Sequence, residues 1–119
     1  MSETGFYDEV EKIIEKDPRY KEDAYEFVME ALNFTQRRLK QKKHVSGREL
    51  LDGIKDVARE RFGPMSCTVF EHWGVNKTED FGEIVFNMVE NGLLKKTEKD
   101  SRKDFKNIYD FSKTFGPPA

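Results

Sequence analysis

Cysteine is almost missing from this chain of 119 residues: Cys67 is the only one. A single thiol closes no internal disulfide, which excludes the stapled extracellular scaffolds and fits a reducing, cytoplasmic setting. One Cys and two His, with no CxxC or HxxxH spacing, fall short of the ligand pairs of a structural zinc site, so no metal is expected. Long apolar runs are lacking too. No segment approaches the roughly 20 apolar residues of a membrane span, and the acidic opening MSETGFYDEVEKIIEKD has no signal-peptide core. Neither Gly53 nor Gly74 belongs to a phosphate-cradling GxxxxGK[ST] or GxGxxG pattern. Carboxylates are plentiful, but at 37% charged residues that is what helix surfaces supply by default. No catalytic residue, cofactor or membrane contact is expected, and the chain reads as a non-enzyme.

What is present is charge and aromatic carbon. Charged residues (37%) match hydrophobic ones (36%), a balance that leans toward disorder. Ten Phe, four Tyr and one Trp at helical spacing decide for an ordered core. The length fits a single domain over 1–119, with an acidic helix at 1–17, a core at 22–111 and a loose tail at 112–119. The net charge of −2 conceals segregation: residues 1–30 hold ten acids and four bases, residues 31–48 six bases and no acid. Such a belt is either a helix end whose cations answer the C-terminal dipole or a footprint for an anionic partner.

Periodicity places the helices. Phe6, Val10, Ile13 and Ile14 form one apolar stripe, ended by Pro18. A second helix runs from about Glu22 to Gln41 on Ala24, Phe27, Val28, Ala31, Leu32, Thr35 and Leu39. Ser46 and Glu49 make a capping box, with Val45 stapled onto Leu50, and the helix after it gathers Leu50, Leu51, Ile54, Val57, Ala58 and Phe62 into an arc of about 140°. Gly63-Pro64 stops it.

The stretch RFGPMSCTVFEHWGV (61–75) holds Cys67, His72 and Trp73, and asks whether it is an active site. On a helix capped by Ser66, Cys67 and His72 point about 140° apart, too far to form a thiol–imidazole pair. A buried helix is the better reading. The next helix has Thr78 as cap, Phe81, Ile84, Val85, Met88 and Val89 as stripe, and an Asn91-Gly92 stop. LLKKT and FKNIYDF then read as two short strands around EKDSRKD.

The expected fold is therefore α+β and mainly helical: winged-helix-like helices at 47–62, 66–73 and 78–91 with a C-terminal hairpin at 93–111, preceded by two N-terminal helices. In that frame the recognition helix carries Glu79, Asp80, Glu83 and Glu90 and no base, which argues against major-groove reading. The wing has a surplus of two bases. YEFVMEALN (25–33) and GEIVFNMVE (82–90) also echo one another, as amphipathic helices often do.

AYEFVMEAL, HVSGRELLDGI, FGPMSCTVFEHWG and TEDFGEIVFNMVENGLLKKT followed by YDF resemble an uncharacterised family of short bacterial proteins, described chiefly from planctomycetes and verrucomicrobia as a conserved hypothetical repeat protein. The resemblance spans roughly 20–111; it implies a bacterial cytosolic protein and supplies no site residues. The leading expectation is a non-enzymatic module binding an unknown protein partner through Glu79, Asp80, Glu83 and Trp73. The alternative is nucleic acid or a ribonucleoprotein, held by phosphate contacts from Arg37, Arg38, Lys40, Lys42, Lys43, Arg48, Lys95 and Lys96.

Overall fold

Apolar stripes of this kind need partners, and in the computed structural model, which describes residues 3–40, 44–94 and 102–116, they find one another around two central helices. These are α2 (Glu22–Arg38) and α3 (Gly47–Phe62); α1 (Glu3–Lys16) packs on α2 and on α5 (Thr78–Glu90), which also meets both α2 and α3. Short helices α4 (Ser66–His72) and α6 (Phe111–Phe115) and two 3₁₀ turns, Gly63–Met65 and Arg102–Phe105, complete the described chain. The stripe of α2 is buried at Ala24, Tyr25, Phe27, Val28, Ala31 and Thr35, and that of α3 at Leu50, Leu51, Ile54, Val57 and Ala58. The two helices approach closely at Gly53. A methyl group there would overlap the Thr35 hydroxyl, which donates to Ala31 O at 2.7 Å.

Local signals set the ends of α3. Glu49 N donates to Ser46 Oγ at 3.1 Å and Ser46 N to Glu49 Oε1 at 2.9 Å, a complete capping box. Helix α5 ends in a Schellman motif: Gly92, with φ 77°, donates to Val89 O, and Leu93 donates to Met88 O. Helix α2 stops at Arg38 rather than Gln41, with Lys40 at φ 59° just beyond it.

The stretch 61–75 is structural. Phe70 is fully buried and its ring lies 5.0–6.1 Å from those of Phe27, Phe62, Trp73, Phe81, Phe111 and Phe115. Each such pair contributes on the order of 1 kcal/mol beyond its area burial. Cys67 packs half-buried against this core, and His72 is exposed. Ser66 is not the cap expected: it lies inside α4 and its hydroxyl binds Ala58 O and Gly63 O.

The C-terminal third corrects the α+β expectation. No strand, and so no hairpin or wing, occurs among the described residues; Leu93 and Leu94 follow the α5 stop, residues 95–101 lie outside the described chain, and FKNIYDF runs from the last residue of a 3₁₀ turn, Phe105, through an irregular turn to the first residue of α6, Phe111. The fold is helical. The reason is local: Asn107 at φ 48° breaks any extended run, and Asp110 caps α6 by accepting from Lys113 N at 2.9 Å. A lone short strand also has no independent stability. The apolar residues read as strand instead pin this segment down. Phe105 sits where Gly82 leaves room (a Cβ there would lie 2.8 Å from that of Phe105), and Tyr109 Oη donates to Leu51 O at 3.1 Å. Within the stretch expected to be a loose tail, α6 runs to Phe115, which is 1% exposed; residues 117–119 lie outside the described residues.

Candidate functional site

Three surfaces were singled out by charge or shape, and the structure treats them differently. The acidic face of α5 is met by the chain that links α1 to α2. Tyr20 Oη donates to Asp80 at 2.6 Å, and the same carboxylate accepts from Asn76 N and Lys77 N just ahead of α5, whose N-cap is Lys77 rather than Thr78. Thr78 is instead buried, its hydroxyl donating to Phe105 O at 2.6 Å and accepting from Ile108 N at 3.2 Å. Arg19 grips Asp17 through two nitrogens at 2.6 and 2.8 Å and lies 3.7 Å from Glu83. Asn87 bridges Asp17 and Tyr25 Oη.

The electrostatics follow this wiring. The Arg19 guanidinium beside Asp17 holds its carboxyl well below the usual carboxylate range, although burial opposes it. Burial pushes the Tyr20 and Tyr25 hydroxyls up. Burial works against charge on Glu79 as well, but N–H groups of Glu79 itself and of Asn107, with the Thr78 hydroxyl, outweigh it and hold that carboxyl down. Trp73 is 8% exposed within the aromatic cluster. Of the four residues expected to anchor a partner, Asp80 and Glu83 are engaged within the fold, Glu79 is half-buried and Trp73 is core.

The basic belt is split. Arg38 pairs with Asp56 and stacks on Phe34, its guanidinium 5.0 Å from the ring centroid. Arg37, Lys40 and Arg48 are exposed and make no ion pair among the described residues. Lys42, Lys43, Lys95 and Lys96 lie outside the described residues.

The sequence reading missed a further feature, an apolar cleft of about 270 Å³. Helix α2 lines it with Val28, Leu32 and Gln36, α5 with Val85, Phe86 and Val89, and the start of α3 with Gly47 and Leu50. His44, Val45, Leu93, Leu94 and Phe105 complete the wall, so Gln36 and His44 are its two hydrogen-bonding side chains. Signals for it existed. In the echo of 25–33 and 82–90, Val28 aligns with Val85 and Leu32 with Val89, and those four residues face one cleft. The stapled pair Val45 and Leu50 borders it too.

The cleft lies just under the range of about 300–1,000 Å³ common for small-molecule sites, a size suited to side chains entering from outside. No three metal-ligating side chains come together among the described residues, and no helix there is long and apolar enough to cross a membrane. No family model, curated protein or solved structure matches the chain.

Proposed function

We propose that the protein is a non-enzymatic interaction module, cytoplasmic as its single thiol suggests, which docks a partner protein by taking apolar side chains into the α2–α3–α5 cleft. The observation that carries this reading is the cleft itself. Apolar side chains of three helices line an opening on the outside of the molecule, and elsewhere among the described residues only Tyr7 and Met65 are exposed large hydrophobics. Contiguous apolar recesses on small proteins mark interaction sites more often than stray exposed residues do. The partner-facing residues are thereby moved from Glu79, Asp80, Glu83 and Trp73 to Leu32, Val85, Val89 and Leu93.

Capture from nuclease-treated lysate tests the reading. A discrete protein retained by the native chain is expected to be lost with Leu32→Glu and with Val89→Glu, and kept with Met65→Glu, each variant being folded by circular dichroism. Retention unchanged in both cleft variants would contradict the assignment. One observation favours the second reading, phosphate contact by nucleic acid: Arg37, Lys40 and Arg48 are exposed and make no ion pair among the described residues. That reading expects heparin retention that collapses with modest salt, because counterion release makes phosphate binding steeply salt-dependent.

A further inference from the structure

We infer that Asn91 is a modification site, where the side-chain amide is lost spontaneously through openings of the α5 stop. The reaction consumes only water. Gly92 N, having given its proton to solvent base, attacks Asn91 Cγ and closes a succinimide. The Cγ–Nδ2 bond breaks, and the side-chain nitrogen leaves as ammonia. Water then opens the ring at either carbonyl, leaving an aspartate or its β-linked isomer with no change in oxidation state.

Sequence singles this residue out. The chain has five asparagines, and Asn33, Asn76, Asn87 and Asn107 precede Phe, Lys, Met and Ile. Asn91 alone precedes a glycine, so only there does no side chain hinder the attacking nitrogen. Gly92 is exposed, and a Cβ on it would meet nothing within 4 Å. Water and hydroxide therefore reach this peptide freely.

The fold keeps the reacting atoms apart. Gly92 N donates to Val89 O at 3.1 Å, which occupies the nucleophile. Asn91 Nδ2 donates to Asn87 O at 2.8 Å, which holds the leaving amide back along α5. Asn91 has ψ 14°, which turns Gly92 N toward Asn91's own N and away from its Cβ. Leu93 N, bonded to Met88 O at 2.9 Å, locks that arrangement. Ring closure thus requires these bonds to open and ψ to rotate. Helix ends open at far lower free energy than cores, so the chain reaches that state without unfolding.

The product suits its surroundings poorly. A new carboxylate would stand at the negative end of the α5 dipole, beside exposed Glu90, on a helix with no basic residue in its last turn. The β-linked isomer also lengthens the main chain just before Leu93 and Leu94, which line the cleft. Modification therefore loosens the stop that had restrained it.

Peptide mass mapping of the full chain, aged in mildly alkaline buffer with and without concentrated urea, tests this. The expected result is conversion at Asn91 ahead of every other asparagine, faster as pH rises, and roughly tenfold slower in the folded chain than in urea. Leu93→Ala, which removes the apolar contact that accompanies such a stop, should speed hydrogen exchange at Gly92 and deamidation by the same factor. Asn91→Asp should speed exchange at Gly92 and Leu93. Earlier conversion at another asparagine, or none at Asn91 even in urea, overturns the site. Conversion in urea with Asn91 intact in the folded chain overturns the reaction through local opening, and equal rates in both overturn the restraint by the α5 stop. Unchanged exchange in Asn91→Asp overturns the loosening.

Discussion

Asp17 is the residue on which the joint between α1, α2 and α5 turns. Its carboxylate accepts from the side chains of Arg19 and Asn87, and Asn87 in turn reaches Tyr25 Oη. Hydrogen bonds to a charged group contribute roughly 1.5–3 kcal/mol each when well enclosed, less at a half-exposed site. We expect Asp17→Asn to cost about 1–2 kcal/mol at pH 7 in chemical denaturation. The pH dependence has a definite sign. A folded-state pKa held below the unfolded value of about 3.9 gives stability that is fully present above that value and is lost as pH falls below it. The gap between native and Asp17→Asn stabilities should therefore close below about pH 4, and a gap that stays constant down to pH 2 would contradict this role. Gly53 gives a second test at this scale. Gly53→Ala drives a methyl into the Thr35 hydroxyl and is expected to destabilise by about 2 kcal/mol. Thr35→Ala in the same chain should recover part of that loss, and strict additivity of the two would refute the contact.

Among the elements, those governed by their own sequence were legible and those governed by distant neighbours were not. The bounds of α3 follow from Ser46, Glu49 and Gly63, all within reach of the helix they delimit. Removing that cap with Ser46→Ala should lower stability by about 1 kcal/mol, checked by thermal or urea unfolding. Thr78 and Ser66 look identical to cap residues in sequence, yet their hydroxyls serve carbonyls 27 and 8 residues away. FKNIYDF reads as a strand because Phe, Ile and Tyr favour one. Its conformation comes from the Asn107 turn, the Asp110 cap and the seat on Gly82, none of which composition encodes. Phe105 should matter accordingly. Phe105→Ala is expected to cost about 3 kcal/mol and to loosen residues 102–116 together, which native-state hydrogen exchange would register. Loss confined to the immediate turn would show that the segment docks piecemeal.

At the scale of the whole molecule, charge segregation and surface function separate. The acidic face of α5 looked like a docking surface because its carboxylates lie opposite an apolar stripe. In the fold Arg19 and Tyr20 meet that face, which makes it a joint between elements. The cleft was hidden for the converse reason. Its walls come from residues 28–36, 44–50, 85–94 and 105, and only tertiary packing brings those apolar positions to one opening. The echo pairs Val28 with Val85 and Leu32 with Val89, but sequence alone does not bring them to one cleft. The central claim is that this cleft is the working surface. Amide chemical-shift mapping of the full chain against an amphipathic helical peptide with Leu anchors at i, i+3 and i+7 tests it most directly. The account predicts shifts concentrated at Val28, Leu32, Gln36, Val45, Val85 and Val89, with Asp80 and Glu83 unmoved. Shifts centred on Asp80 and Glu83, or on the basic residues with the apolar walls silent, would contradict it.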